Sequence, residues 1–312
     1  MTDSNELPKL EHTLSLPVLG IDTRFETNSE AVVEMVEQSF GRWRELPASQ
    51  RTEHTPVRVR IAVIDGSVPK GTHSITYVSG PDHRLALRSD ACVAEVDPPR
   101  RESIARVSAE AIQDREQFRV GILEAITFAL LAAFDRHPLH AAAITRGDRT
   151  ALLAGAGGSG KSTLAYLAYS AGLDVLSDDH VWIQLEQGCR IWGSAPHARL
   201  RSEAAVHFPE IDHPGADKLA VHLAPRDAGH QLVARGPVVC ILARGDAASL
   251  TPLTTSEIES ELISQLSPGF DRFPERNHAA FRRIAQSGGW RLTLSNDPRD
   301  SLPLLRRVLD GT

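Results

Sequence analysis

The sequence predicts an α/β protein: a P-loop core over residues 137–312, preceded by a smaller α+β region over 1–136. Three observations carry this. An apolar strand, a glycine loop, a helix and a second strand follow one another over 150–176, the order of a right-handed parallel crossover. The loop, Gly155-Ala156-Gly157-Gly158-Ser159-Gly160-Lys161-Ser162, fits GxxxxGK[ST]. Ahead of the core, short strand-like runs bounded by Gly, Pro and Asp turns lead into one long apolar helix. At roughly 150 residues per domain, 312 residues also suggest two domains.

Residues 1–10 read as a loose polar tail. Over 30–43, Val32, Val33, Met35, Val36 and Phe40 recur at helical spacing, with Asn28 or Ser29 as the N-cap. Strands are expected at 57–63, 74–78, 83–87 and 91–96, separated by turns such as Asp65-Gly66 and Gly80-Pro81-Asp82. A helix is expected over 115–136, its apolar face built from Phe118, Ile122, Leu123, Ile126, Leu130, Leu131 and Phe134. His137-Pro138 ends it, because a residue before proline is pushed out of helical geometry. The domain boundary falls there. The second region reads as strands 139–145 and 150–154, a helix over 161–171 stopped by Gly172, and a strand over 174–176 running into Ser177-Asp178-Asp179. Strands at 181–185 and 238–242, helices at 255–266 and 277–284, a strand at 290–294 and a helix at 301–309 complete it.

Composition narrows the class. Hydrophobic residues make up 41% and charged residues 24%, which is globular rather than disordered. The net charge of -6 argues against a general nucleic-acid binder. Cys92, Cys189 and Cys240 lie far apart with no zinc spacing, so reduced and mostly buried thiols are expected. The apolar stretch 122–134 is too short to span a bilayer and the N-terminus has no apolar core, so a cytoplasmic chain without membrane attachment is expected. A homo-oligomer is compatible with all of this.

The glycine loop has a physical logic. Glycines let successive backbone N–H groups converge on one point, and the following helix aims its positive end at the same point. Lys161 would reach the β- and γ-phosphates, and the Ser162 hydroxyl would ligate Mg²⁺, with Thr163 beside it. A rival reading exists, because Gly155 to Gly160 also matches GxGxxG of a dinucleotide site, with an acidic pair about 20 residues on. Lys161 and Ser162 favour a nucleoside triphosphate, ATP. The chain has four lysines (Lys9, Lys70, Lys161, Lys218) among 34 basic residues, and one of them stands directly after the last glycine. A compact ammonium fits there better than the guanidinium this chain otherwise prefers.

Asp178 and Asp179 follow the loop helix at the end of the next strand, an end that faces a ligand site in an open α/β sheet. Carboxylates there hold Mg²⁺ or take a proton from an attacking hydroxyl. One of them could equally cap a turn or pair with an arginine. His140 stands about ten residues before the loop strand and could lie beside the site, although a lone histidine is more often structural.

Leu139-His140-Ala141-Ala142-Ala143, the loop Gly155 to Thr163, and Leu176-Ser177-Asp178-Asp179-His180 together resemble the catalytic core of the HPr kinase/phosphorylase family. That family phosphorylates a protein serine and is related in structure to ATP-dependent PEP carboxykinases. The resemblance implies His140, Lys161 and Asp178 as catalytic residues, Asp178 being the base that takes the serine proton, and Ser162 and Asp179 near Mg²⁺. It is strongest over 138–200. Fainter likenesses at Pro196 to Leu200 and Asp217-Lys218-Leu219 extend to kinases of lasso-peptide gene clusters and suggest Lys218 as a phosphate or substrate contact, with Arg199 and Arg201 as weaker candidates. The chain departs from the family in lacking its glycine-rich signature with a metal-binding Glu; Glu203 lies nearby without that setting.

The expectation is therefore an ATP- and Mg²⁺-dependent kinase acting on a hydroxyl, a serine of a peptide or small protein first among them, with residues 1–136 offering a strand edge for that partner. A small-molecule hydroxyl kinase and a nucleotide-dependent switch are the alternatives. A switch usually carries its metal-side Asp on a later strand, which favours kinase chemistry here.

Overall fold

The computed structural model describes residues 7–52, 55–64, 75–193, 197–208, 210–211, 218–223, 232–266 and 272–311. The fold is mixed α/β and divides into two compact units, Met1–Phe134 and Asp135–Thr312.

The first unit contains β1 (His12–Val18), β2 (Ile21–Thr27), α1 (Glu30–Phe40), β3 (Val57–Ile64), β4 (Thr76–Ser79), β5 (Leu85–Ser89), β6 (Cys92–Asp97) and β7 (Glu102–Ser108). Two short helices, α2 (Arg115–Phe118) and α3 (Ala125–Leu131), flank a π-helical turn. The strands form one sheet in the order β1-β2-β3-β7-β6-β5-β4. Period-two patterning explains its two faces. Val57, Val59 and Ile61 of β3 are buried, while Arg58 and Arg60 emerge on the other side. There Arg58 meets Glu26 at 3.1 Å and Arg60 meets Glu102 at 3.5 Å. Val32, Met35, Val36 and Phe40 are the buried side of α1.

Sequence and structure differ here in three ways. The 115–136 helix is two pieces ending at Leu131. The chain reverses at Asp135, in the left-handed region at φ 54, and His137 opens a strand. Asp135 is held there because its carboxylate accepts from the backbone N–H groups of Leu185 and Glu186 at 3.1 and 2.9 Å. The 83–87 strand begins two residues late, at Leu85, because Pro81–His83 form a turn with Asp82 and His83 left-handed. Three further strands, β1, β2 and β7, add to the pattern. Pro17 masks β1, and an edge strand is where proline is tolerated. The Asp65-Gly66 turn, Ser74 and residues 1–6 lie outside the described residues.

The second unit contains β8 (His137–Leu139), β9 (Ala141–Arg146), β10 (Arg149–Ala154), α4 (Lys161–Ser170), β11 (Asp174–Ser177), β12 (Val181–Gln184), β13 (Arg190–Gly193), β14 (His197–Arg201) and β15 (Lys218–His222). It continues with β16 (Val233–Ala234), β17 (Pro237–Arg244), β18 (Ser249–Leu253), α5 (Thr255–Ser264), α6 (Pro274–Ala285), β19 (Gly289–Leu294) and α7 (Leu302–Asp310). Its main sheet has the order β11-β9-β10-β17-β19-β18. β12 and β13 lie with β8 and β16 in a second, antiparallel sheet, and β14 and β15 form a ribbon.

β9, β10 and β17 read as continuous apolar runs because both faces are covered. Ala142, Ile144, Ala151, Leu153 and Cys240 enter one core with Leu164 of α4 and Leu305 of α7. Their neighbours Ala141, Ala143, Leu152, Ala154, Val239 and Ile241 enter the other, with Ile258 of α5, Phe281 of α6 and Ile183 of β12. Gly172 ends the α4 segment at φ 89, and Leu173 N–H reaches back to the Ala168 carbonyl at 3.0 Å. All three cysteines are free thiols, and burial pushes Cys92 and Cys240 up to about 12. No helix among the described residues is long and apolar enough to cross a membrane.

The crossover from β10 through α4 to β11 is parallel, as expected, but not between neighbours. β9 lies between the two strands and runs antiparallel to both. The two sheets touch closely where Gly193 ends β13: a Cβ there would sit 2.1 Å from the Leu176 carbonyl oxygen of β11. Gly193→Ala is therefore expected to destabilise the protein by about 1–3 kcal/mol, the usual range for overpacking. Calorimetry should show a thermal midpoint lowered by roughly 5 °C, and an unchanged midpoint would mean that this approach is not tight.

Candidate functional site

Register brings the candidate residues to one edge of the main sheet. β10 ends at Ala154, which pairs with Ala141 at the start of β9. His140 is the residue just before it. β11 runs antiparallel to β9 and ends at Ser177, so Asp178 and Asp179 emerge at the same edge. β17 runs parallel to β10, with Ala154 opposite Ile241, and continues past it to Arg244.

The glycine loop turns between β10 and α4. Gly158 at φ 84 and Gly160 at φ 106 occupy the left-handed region that a side chain disfavours. A Cβ on Gly160 would also meet Leu294 at 2.8 Å and the Arg244 guanidinium at 3.1 Å. The loop is braced by Gly155 N–H donating to the Gln265 side chain at 2.7 Å and by Ser159 N–H donating to the Ala156 carbonyl at 3.1 Å. Lys161 is buried, and its ammonium curls over the loop, donating to the Gly155 carbonyl at 2.6 Å and the Ala156 carbonyl at 3.3 Å. Desolvation lowers its pKa, and the charge of Asp179 works in the opposite direction.

Adjacent residues at a strand end point to opposite sides, and the two aspartates do so. Asp178 is 1% exposed. It accepts from the Arg199 backbone N–H at 2.7 Å and from the Ser162 hydroxyl of the loop helix. Burial raises its pKa; those two hydrogen bonds pull it down, and the neighbouring Asp179 charge adds to the rise. Asp179 faces the other way, toward two imidazoles. Its carboxylate oxygens lie 3.1 Å from His140 Nδ1 and 2.9 Å from His180 Nδ1. Partial burial would raise it, but the hydrogen bonds from His140 and His180 outweigh burial and hold it far below the usual carboxylate range.

A cavity of about 360 Å³ opens at this edge. It is lined by His140, Gly157, Gly158, Lys161, Ser162, Thr163 and Asp179. Arg199, Arg201, Arg244, Glu203 and His207 line it as well. Four permanent cations therefore face two carboxylates, an excess suited to an anionic ligand. Arg201 comes within 3.9 Å of where a Gly158 Cβ would lie, so the guanidiniums of Arg201 and Arg244 both reach the loop glycines. Ser159 Oγ is buried and has no hydrogen-bond partner among the described residues.

Of the residues singled out in sequence, His140, Gly157, Gly158, Gly160, Lys161, Ser162, Thr163, Asp179 and Arg199 line this cavity, whereas Gly155, Ala156 and Ser159 do not, and the buried Asp178 is tied to Ser162. Ser162 meets Asp178, and Asp179 meets the imidazoles instead. Lys218 opens β15 in register with Arg201, but its side chain, like Pro196 and Asp217, lies outside the described residues. Sequence reading missed Arg244 and His207. The signal for Arg244 was its place directly after the apolar run Val238 to Ala243, on a strand parallel to the loop strand.

No family model matches this chain, and no curated protein matches it. Among solved structures, the Hpr(Ser) kinase/phosphatase from Coxiella burnetii is similar at 12% sequence identity, over 56% of this chain and 88% of that one, with a TM-score of 0.28. A likeness at that level identifies no family, and the site is read from its own residues.

Proposed function

We propose that the protein binds ATP on the loop Gly155 to Thr163 and transfers its γ-phosphoryl group to a hydroxyl, a serine of a peptide or small protein being the acceptor. The contact between Ser162 and Asp178 carries this reading: the carboxylate at the end of β11 meets the first turn of the loop helix, so proton acceptor and phosphate cradle belong to one site. The phosphates take the place that the Gly155 and Ala156 carbonyls now fill at Lys161. Arg201 and Arg244 add charge at the loop flanks.

The two aspartates have environments that push their pKa values apart, which divides their roles. Asp178, raised by burial, is the base for the acceptor hydroxyl. Asp179 stays ionised. Ser162 and Asp179 both line the cavity; a hydroxyl and a carboxylate are oxygen ligands of the kind a hard cation takes, and these residues would hold Mg²⁺. When bound, Mg²⁺ neutralises charge on the transferred phosphoryl group. His140 orients Asp179 through its hydrogen bond.

A peptide acceptor is supported by the first unit, where β4 is the last strand of its sheet among the described residues and Tyr77 is 43% and Val78 53% exposed. An extended chain can add to such an edge. The test is incubation with labelled ATP and Mg²⁺ plus either the peptide-and-protein or the small-molecule fraction of a lysate. Label is expected in the first. Label only in a small metabolite would leave a small-molecule kinase, and calorimetry showing NAD binding without ATP binding would replace the reading with a dinucleotide site.

A further inference from the structure

His180 has no part in the reading above, yet it completes a cluster. Val181 of β12 pairs with Leu139 of β8. The antiparallel register one step further sets His180 beside His140, and their ring centroids are 5.0 Å apart. Both imidazoles turn Nδ1 onto Asp179, one on each carboxylate oxygen, at 3.1 and 2.9 Å. One ligand atom from each of the three residues lies within 4.8 Å of the other two, and among the described residues this is the only such group of His, Cys, Asp and Glu side chains.

We infer that His140, Asp179 and His180 form a binding site for a first-row transition-metal ion, and that the ion binds without nucleotide. Two imidazole nitrogens and one carboxylate are a mixed nitrogen and oxygen set. Imidazole suits the ions from iron to zinc, whereas Mg²⁺ takes oxygen ligands almost alone. The set differs in kind from the all-oxygen pair of Ser162 and Asp179, with which it shares one carboxylate. Three protein ligands leave a tetrahedral or larger shell incomplete, as in sites where an ion meets a substrate. The open side has a direction: His140 and Asp179 line the cavity, whereas His180 does not. An exogenous ligand would therefore enter from the side of Lys161 and the arginines. With neutral imidazoles, the carboxylate and a divalent ion sum to one positive charge, which adds to the cationic excess already facing that space. His180 is about half exposed and can be replaced with little loss of packing.

The inference stands on the three side chains and is separable from ATP binding by its test. The whole protein is titrated with Co²⁺ alone, without nucleotide, and its visible absorption is followed. Wild type is expected to develop the bands of a protein-bound ion. His180→Ala should bind at least ~10-fold more weakly, and Asp178→Asn should bind as wild type does. His180→Cys should restore binding and add a thiolate-to-cobalt charge-transfer band, a signature that a merely structural histidine would not produce. Absence of Co²⁺ binding to folded wild type, or binding unaffected by His180→Ala and without a new band in His180→Cys, overturns the inference. ATP binding measured on the same proteins should survive His180→Ala. Its absence from wild type would count against the kinase reading and leave the metal result standing.

Discussion

Lys161→Ala is expected to lower phosphoryl transfer about 10³-fold, several kcal/mol at ~1.4 kcal/mol per decade, while the fold survives. The lysine is the cation buried within the loop, and under the proposed function it would meet the γ-phosphate as charge develops there. Its loss removes an interaction that strengthens in the transition state. Folding should be little affected, because the lysine's partners are two loop carbonyls, on Gly155 and Ala156, and Ala156 is exposed to water. Lys161→Arg should not restore the rate, since a planar fork does not fit where a compact ammonium sits. Steady-state transfer of label together with a circular-dichroism melt checks both halves. Transfer within a few-fold of wild type would remove Lys161 from the chemistry, and a collapsed melt would make it structural.

Asp178→Asn should keep ATP binding and lose transfer by roughly 10²–10⁴-fold, the usual contribution of a positioned base. The amide preserves shape but cannot take the proton. The pH profile gives a second readout. Burial raises the Asp178 pKa, so wild-type activity is present above that raised pKa and lost as pH falls through it. This acid limb should lie above the ordinary aspartate value, and the variant should lack it. Stability carries the opposite sign. A carboxyl whose pKa is raised by folding holds its proton more tightly in the native state, so its contribution to stability falls as pH rises from the unfolded pKa through the folded one. At neutral pH Asp178→Asn should therefore melt no lower than wild type. An inactive variant that also melts much lower would mark Asp178 as structural, and near-normal transfer would remove it as the base.

Much of this site was legible because it is local. The loop glycines, Lys161 and Ser162 are consecutive, and the aspartates follow after one helix and one short strand. The apolar runs of β9, β10 and β17 announced strands covered on both faces. What escaped was set by pairing at long range. The sequence between β10 and β11 contains no hint that β9 separates them, because β9 precedes both. Arg244 comes to the loop only because β17 lies beside β10, 83 positions after Lys161. His180 stood within the quoted aspartate motif, but its closeness to His140 depends on β8 pairing with β12. The helix end at Leu131 was missed for the same reason: Asp135 is held by backbone groups some fifty residues away.

His140 occupies the single peptide step between two sheets. Leu139 is registered to Val181 in one, and Ala141 to Ala154 in the other. Neither register can slide to absorb an added or missing residue. A slip of one position in β9 would send Ala141 and Ala143 into the core that now takes Ala142 and Ile144, and would force Ile144 where alanine fits. A slip in β8 would break its ladder to β12. This stretch should therefore accept exchanges of side chain but reject any change of length. Across divergent relatives, insertions and deletions should gather in surface connections such as the Arg146 to Arg149 turn, while the count of residues from 137 to 146 stays constant.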